Sequence, residues 1–113
     1  MEFQLLTVAQ LRMPDPRPPD TPEDARIQAE HLAYLFGLRE QGKVALNGPI
    51  REGDSDGGLR GLTIYTVGID EARELAMADP AVQAGWFDVV LDTWWLPAIP
   101  TTLGDRVDFE IER

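Results

Sequence analysis

The sequence predicts a small α+β domain in which two helices cover one face of an antiparallel sheet. Three observations support this fold class. Two segments have apolar residues at helical spacing, segments rich in β-branched and aromatic residues flank them, and the order strand, helix, strand occurs twice. With 113 residues, the chain is long enough for one domain with a single core.

The first strand and the connection that follows it differ sharply in composition. Residues 2–11 have the length and apolar content of a central strand, so we predict a strand there. Residues 13–22 contain five prolines, and each proline fixes φ and lacks a backbone N–H donor. We therefore predict a stiff loop, and loops of this length often lie over a site.

The first helix has clear signals for its start, its buried face and its end. Thr21 is the predicted N-cap, and Gly42 is predicted to end the helix because glycine readily adopts the left-handed conformation. The residues predicted to face the core recur at helical spacing: Ile27, His31, Leu35 and Leu38. His31 is the only histidine of the chain. Because it belongs to this set, it is predicted to lie on the buried stripe of the helix.

A pair of predicted strands follows this helix. Residues 43–46 have the composition of a short strand, and the next residues predict a tight turn at Gly48 and Pro49. A glycine-rich connection then leads to residues 61–67, which are predicted to form a strand because they are rich in β-branched and aromatic side chains.

The second half of the chain repeats the helix and strand pattern. Asp70 is predicted to cap a second helix that ends before Pro80, because proline disfavours a helical conformation in the residue before it. Strands are predicted over residues 86–96 and again over residues 106–112, where apolar and polar residues alternate. The order is therefore the ferredoxin-like βαββαβ pattern with an added C-terminal strand.

One face of the predicted sheet lacks a cover. Two helices can cover only one face, and the strands have apolar side chains on the second face as well. We therefore predict that the second face is buried against another copy of the chain in a two-fold homodimer.

Composition excludes several classes of function. The chain has no cysteine, which excludes disulfides and cysteine-based zinc sites and fits a reducing cytoplasm. A net charge of −10 without a cluster of Lys and Arg argues against nucleic acids and membrane surfaces as partners. Because a single histidine cannot form a standard zinc site and Asp54 and Asp56 are expected in a solvated turn, no metal or other cofactor is predicted.

Several short segments have a specific order and spacing. They are EHLAYL from residue 30, Gly42-Lys43-Val44, Asn47-Gly48-Pro49, the glycine-rich residues 56–61, Asp70-Glu71-Ala72-Arg73, Asp79-Pro80, Gly85, and Trp94 or Trp95. In this arrangement residues 25–96 resemble the YciI-related (YCII) family of dimeric α+β barrels. The resemblance implies a ferredoxin-like subunit and a homodimer. One type of relative removes chloride from chlorinated hydroxyquinones, and structurally similar barrels include muconolactone isomerases and monooxygenases.

The resemblance also implies a catalytic pair. Family members share a histidine on the first helix and an aspartate in the Asp-Pro turn, and the matching residues here are His31 and Asp79. A carboxylate that accepts a hydrogen bond from one imidazole nitrogen fixes the tautomer and raises the basicity of the other nitrogen. Gly48, Pro49 and Trp94 are the candidate substrate contacts. The proline-rich loop is longer than in the family, so no substrate preference is carried over.

Alternative interpretations stay open. The leading hypothesis is a cofactor-free lyase, isomerase or dehalogenase in which His31 transfers a proton on a small cyclic or aromatic organic substrate. The alternatives are a non-catalytic small-molecule-binding or accessory dimer module and a structural dimer domain, with His31 as a core residue satisfied by Asp79. For Trp94 and Trp95, which point to opposite sides of their strand, packing is the default and an aromatic ligand wall is the alternative. Arg17 is expected to be solvated rather than bound to a substrate carboxylate.

Overall fold

The computed structural model describes residues 3–51, 53 and 57–97. The predicted strand over residues 106–112 and the predicted turn at Asp54 and Asp56 lie outside these residues. In the described part of the chain no helix is long and apolar enough to cross a membrane.

Four strands form one antiparallel sheet in the order β2-β3-β1-β4. The strands are β1 (Phe3–Arg12), β2 (Val44–Pro49), β3 (Leu59–Tyr65) and β4 (Asp88–Pro97). The helices are α1 (Asp24–Glu40), α2 (Ile69–Met77) and the short α3 (Pro80–Gln83). This arrangement confirms the predicted ferredoxin-like α+β fold, in which β1 is central because it pairs with both β3 and β4. Helix α3 consists of a single turn and follows directly on the end of α2.

The core lies between the helices and one face of the sheet. Side chains alternate between the two faces of a strand, and on β1 the helix-facing positions include the buried Thr7 and Ala9. The Thr7 hydroxyl donates a hydrogen bond to the Val67 carbonyl at 2.8 Å, so this buried polar group is satisfied. The central cluster of buried residues comprises Ala9, Leu35, Leu38, Val44, Tyr65, Ala72 and Ala76. Burial of a leucine side chain such as Leu35 contributes roughly 2 kcal/mol to folding.

Helix α1 ends as the sequence predicts and begins two residues later than the sequence predicts. Gly42 has φ +76°, and its N–H donates to the Arg39 carbonyl at 3.0 Å. The Lys43 N–H donates to the Leu38 carbonyl at 2.9 Å, which completes a Schellman motif. At the other end the N-cap is Glu23 and not Thr21.

Thr21 still belongs to the turn that leads into α1. Its backbone N–H and its hydroxyl both donate to the Asp24 carboxylate, at 3.1 and 2.9 Å. In a capping box, an acidic side chain in the first helical turn accepts a hydrogen bond from a backbone N–H three residues earlier. The bond from the Thr21 N–H to Asp24 is of this kind. The helix begins at Asp24, and its N-cap is therefore Glu23 rather than Thr21.

The predicted cap of the second helix is wrong by two residues. The N-cap of α2 is Gly68, which has an extended backbone with φ −65° and ψ 165°. Asp70 lies inside the first turn, where its negative charge interacts favourably with the positive end of the helix. Glycine is an acceptable N-cap because its backbone is readily solvated and conformationally free, and only the side-chain cap bond is missing.

The predicted tight turn at Gly48 and Pro49 is also wrong. Both residues belong to β2, where Gly48 pairs with Leu62 and Pro49 pairs with Gly61. Proline is tolerated there because β2 is an edge strand and one row of its backbone groups needs no partner in the sheet. The glycine on the neighbouring strand allows close approach, since a Cβ at Gly61 would lie 3.1 Å from the Gly48 carbonyl oxygen.

The second face of the sheet has no helix against it in this chain. Exposed apolar side chains on this face include Leu46 on β2 and Val90 and Trp94 on β4. We call this surface the open face. Its apolar character is the feature from which the sequence predicts a dimer.

Candidate functional site

His31 and Asp79 are in direct contact although 48 residues separate them in the chain. The His31 Nδ1 atom lies 2.7 Å from Asp79 Oδ2 and 2.9 Å from Asp79 Oδ1. Both residues are buried, with 8% and 3% of their surfaces exposed. A buried carboxylate of this kind needs hydrogen-bond partners, because burial without them costs several kcal/mol.

The local structure of each residue explains how the two meet. His31 lies on the buried stripe of α1, in line with Ile27 and Leu35. Asp79 is the N-cap of α3, with Pro80 in the first helical position and with the Ala81 N–H donating to Asp79 Oδ1 at 2.8 Å. The same carboxylate therefore caps one helix and accepts from the imidazole of another.

The contact determines the tautomer of His31. An ionised carboxylate only accepts hydrogen bonds, so Nδ1 must carry the proton. In neutral imidazole the other nitrogen, Nε2, then has a free lone pair. No hydrogen bond joins Nε2 to a residue in the described part of the chain, and His31 forms part of the wall of an open cleft.

The cleft has a volume of about 1390 Å³ and lies on the helix-covered side of the sheet. Its walls come from the proline-rich loop, α1, β2 and β3, together with Trp86 and Phe87, which precede β4. The Phe87 ring lies 5.9 Å from the His31 ring, measured between centroids, at an interplanar angle of 49°. Aromatic and aliphatic walls with a few polar groups are typical of a site for a small organic molecule.

The predicted substrate contacts divide between the two faces of the sheet. Gly48 and Pro49 line the cleft beside His31. Trp94 does not line it, and lies instead on the open face in a shallow depression with Val8 and Ile64. The aromatic wall of the cleft is Trp86 and Phe87, which come before β4 and not within it.

Two tyrosines lie behind the pair and away from the cleft. The Tyr34 hydroxyl donates to the Leu75 carbonyl at 2.7 Å. Burial, with a further contribution from the Asp79 charge, raises the pKa of Tyr34 above its ordinary value. Burial also raises the pKa of Tyr65, and Tyr34 and Asp79 act in the same direction. Both phenols therefore stay protonated around neutral pH.

Several polar residues of the cleft were not among the predicted site residues. Arg17 is exposed, as expected, and also lines the cleft. Asn47, which belongs to the Asn47-Gly48-Pro49 segment, and Arg60, which belongs to no motif, line it as well. The position of Asn47 immediately before Gly48 and Pro49 was the one available signal. Arg60 had none, because the pairing of β3 with β2 brings it to the cleft.

Comparisons with known proteins identify the family. A structure with the same fold is the 5-chloro-2-hydroxyhydroquinone dehydrochlorinase from Burkholderia phenoliruptrix AC1100, solved in complex with 2,5-dihydroxybenzoquinone. The two chains are 23% identical, the alignment covers 80% of this chain and 92% of that chain, and the TM-score is 0.57. No curated protein sequence matches. The model of the YCII-related domain matches residues 9–94, and the chain therefore belongs to the YCII-related family.

Proposed function

We propose that the protein is a small cofactor-independent enzyme in which His31 and Asp79 transfer a proton on a small cyclic or aromatic organic substrate. The observation that carries this proposal is the His31 Nδ1 contact with Asp79 at 2.7 Å, which leaves Nε2 without a partner among the described residues, on a side chain that lines a cleft. A general base needs this combination of a free lone pair, a fixed orientation and room for substrate.

The proposed chemistry follows from the two nitrogens of the ring. Nε2 takes a proton from a C–H or O–H group of the substrate, and the imidazole becomes a cation. The Asp79 carboxylate lies against the other nitrogen and stabilises that cation without receiving its proton. Return of the proton to another substrate atom completes an isomerisation, and departure of a leaving group such as chloride with formation of a double bond completes an elimination.

The substrate class is supported by the walls of the cleft. Trp86 and Phe87 provide flat apolar surface beside His31, which suits a ring. The dehydrochlorinase with the same fold was solved with a dihydroxybenzoquinone, a compound of this class. That likeness makes elimination from an oxygenated ring a reasonable first reaction to test.

We also propose that the functional unit is a homodimer formed through the open face. Leu46, Val90 and Trp94 are 49%, 42% and 43% exposed on this face. Apolar side chains grouped on one surface mark an interaction site more often than chance exposure. A second copy of the chain presents the same surface, so a two-fold contact would cover both.

Activity of a matched pair of variants tests the proposed chemistry. The wild type is screened for chloride release from 5-chloro-2-hydroxyhydroquinone and related chlorinated or hydroxylated rings, and for deuterium uptake from solvent. We expect His31→Gln to lower turnover by about a hundredfold or more, the usual contribution of a general acid or base. Ala33→Gln, which introduces the same side chain at an exposed position of α1 outside the cleft, is the control for folding. Full activity in His31→Gln, with native circular dichroism in both variants, would contradict the proposal.

A non-catalytic binding module is the second candidate. The volume of the cleft supports it, since a site of about 1390 Å³ can hold a small molecule whether or not chemistry follows. In that case ligands of the same class bind the wild type and His31→Gln equally, and no compound of the screen is turned over.

A further inference from the structure

The cleft differs in charge from the rest of the molecule. The whole chain has 20 acidic and 10 basic residues. Among the described residues that line the cleft, basic residues instead slightly outnumber acidic ones, with Arg17, Arg51 and Arg60 against Asp20 and Asp24. The cleft lining is therefore less negative than the molecule as a whole, and its arginines are expected to attract small anions.

Two of these arginines have no counter-ion within the described ranges. No ion pair or side-chain hydrogen bond joins Arg17 or Arg60 to a residue there, whereas Arg26 on the outer side of α1 is paired with Glu30 at 2.8 Å. Asp24 forms no ion pair with either arginine, and both of its oxygens accept hydrogen bonds from Thr21. Asp20 is exposed and solvated. A guanidinium without a partner is a ready site for a carboxylate, with which it forms two parallel hydrogen bonds.

Asn47 provides a third, neutral contact. Its Oδ1 atom is buried and has no hydrogen-bond partner in the described structure. Leaving a buried polar atom unsatisfied is unfavourable, and such atoms are rare in folded proteins. Asn47 pairs with Thr63 across the sheet, and both residues line the cleft. A hydroxyl group on a ligand in the cleft would donate a hydrogen bond to this amide oxygen and give it the partner that the fold does not provide.

We propose that the cleft selects a small organic acid, with its carboxylate at Arg17 and Arg60 and a hydroxyl group that donates a hydrogen bond to Asn47 Oδ1. The proposal rests on the proposed function only for the position of the ring beside His31. In addition, it specifies the charge of the ligand and its polar substituents, which the contact between His31 and Asp79 does not determine.

The proposed preference for a carboxylate is tested by the binding of two probes of similar shape, one negatively charged and one neutral. The probes are 2,5-dihydroxybenzoate and its neutral counterpart 2,5-dihydroxybenzamide, titrated by calorimetry. Contact near the site is followed by the ring NMR signals of the single histidine. We expect the carboxylate to bind about tenfold more tightly than the amide, and its affinity to fall as salt is added because the attraction is electrostatic.

Variants assign the selection to the named residues. Arg17→Gln and Arg60→Gln are each expected to weaken the carboxylate about fivefold and to leave the amide unchanged. Asn47→Leu is expected to weaken both probes alike, because its contact is with the shared hydroxyl groups. Arg26→Gln makes the same change in net charge outside the cleft and is expected to leave both affinities unchanged.

The experiments test the preference for a carboxylate separately from proton transfer by His31. The titrations are repeated in His31→Gln, which is expected to keep the preference for the carboxylate although it loses turnover. Equal affinity for the two probes, no binding of the carboxylate at millimolar concentration, or equal losses in Arg60→Gln and Arg26→Gln would overturn the proposal. None of these results would affect the role of His31 in catalysis.

Discussion

The two faces of the sheet contrast in what they expose. The helix-covered face buries an apolar core and leaves a cleft, lined by His31, which Asp79 holds by a hydrogen bond, and by arginine and asparagine side chains. The open face exposes Leu46, Val90 and Trp94 and has a shallow depression. One face therefore has the features of a ligand site and the other those of a protein interface.

The comparison also shows how each face obtains its features. Polar groups on the helix-covered face are held by elements far apart in the chain, because α1 carries His31 and the N-terminus of α3 carries Asp79. The open face consists of alternate strand residues alone, so its character follows from the composition of four strands. A change at one face should therefore leave the other largely intact, which the following predictions test.

The largest effect is expected from the loss of the Asp79 carboxylate. Asp79→Ala removes the acceptor for both His31 Nδ1 and the Ala81 N–H, both of which are buried. We expect the free energy of unfolding to fall by about 3 kcal/mol, as for loss of a helix cap combined with an unsatisfied buried donor. Urea unfolding measures this loss.

Two further substitutions sharpen that result. Asp79→Asn keeps an oxygen for the Ala81 N–H and should cost roughly half as much, about 1.5 kcal/mol. Glu74→Gln changes an exposed carboxylate of α2, away from the cleft and the open face, and should cost less than about 0.5 kcal/mol. If Asp79→Ala is as stable as Glu74→Gln, the buried pair does not stabilise the helix-covered face.

The next effect concerns the open face. Trp94→Ala is expected to weaken the proposed dimer about thirtyfold, because a large central aromatic side chain dominates an interface. Phe36→Ala removes a similarly exposed aromatic residue from α1 and should leave the dimer unchanged. Sedimentation equilibrium measures both. A wild-type monomer at micromolar concentration would contradict the assignment of the open face.

A smaller effect is expected at alkaline pH on the helix-covered face. Tyr34 and Tyr65 are the only tyrosines, and burial raises the pKa of each above its ordinary value of 10.0. The unfolded chain therefore loses these protons at lower pH than the folded protein does. Their contribution to stability is fully present below pH 10.0 and is lost as the pH rises through the folded pKa.

Two measurements check this pH dependence. The tyrosinate absorbance should rise only when the pH exceeds 10.0, and it should rise together with unfolding. Tyr65→Phe should reduce the loss of stability above about pH 10. Ionisation of both phenols near pH 10.0 in the folded protein would show that they are not buried as described.

The smallest effects are expected from two glycines of one helix. Gly42→Ala places a Cβ at φ +76° and should destabilise the protein by about 1 kcal/mol. Gly37→Ala lies within α1, where no atom is within 4 Å of the new Cβ, and should stabilise the protein by about 0.5 kcal/mol. Thermal unfolding of the two variants should therefore shift in opposite directions. Shifts of the same sign would contradict the Schellman motif at Gly42.

Features with a local cause were the ones that the sequence predicted. The periodicity of α1 and the positive φ at Gly42 follow from the residues themselves, and both are confirmed. Local reasoning was wrong at Asp70, where Gly68 caps the helix instead. It was also wrong at Gly48 and Pro49, because pairing with β3 makes these turn-forming residues part of an edge strand.

The site depended on contacts that no local pattern contains. His31 and Asp79 lie 48 residues apart, and only the family resemblance suggested that they meet. Trp86, rather than Trp94, lines the cleft because the chain turns at Gly85 before β4 begins. Arg17 and Arg60 line the same cleft because of the path that the proline-rich loop takes, which the sequence alone does not specify.

The protonation state of the His31 ring tests the central claim most directly. The chain has one histidine, so the ring nitrogen signals in a ¹⁵N NMR spectrum belong to it alone. Whenever the ring is neutral, we expect its proton on Nδ1 and a free Nε2, and we expect Asp79→Ala to remove this preference. A ring with its proton on Nε2 in the wild type, or the same tautomer in wild type and Asp79→Ala, would contradict this claim.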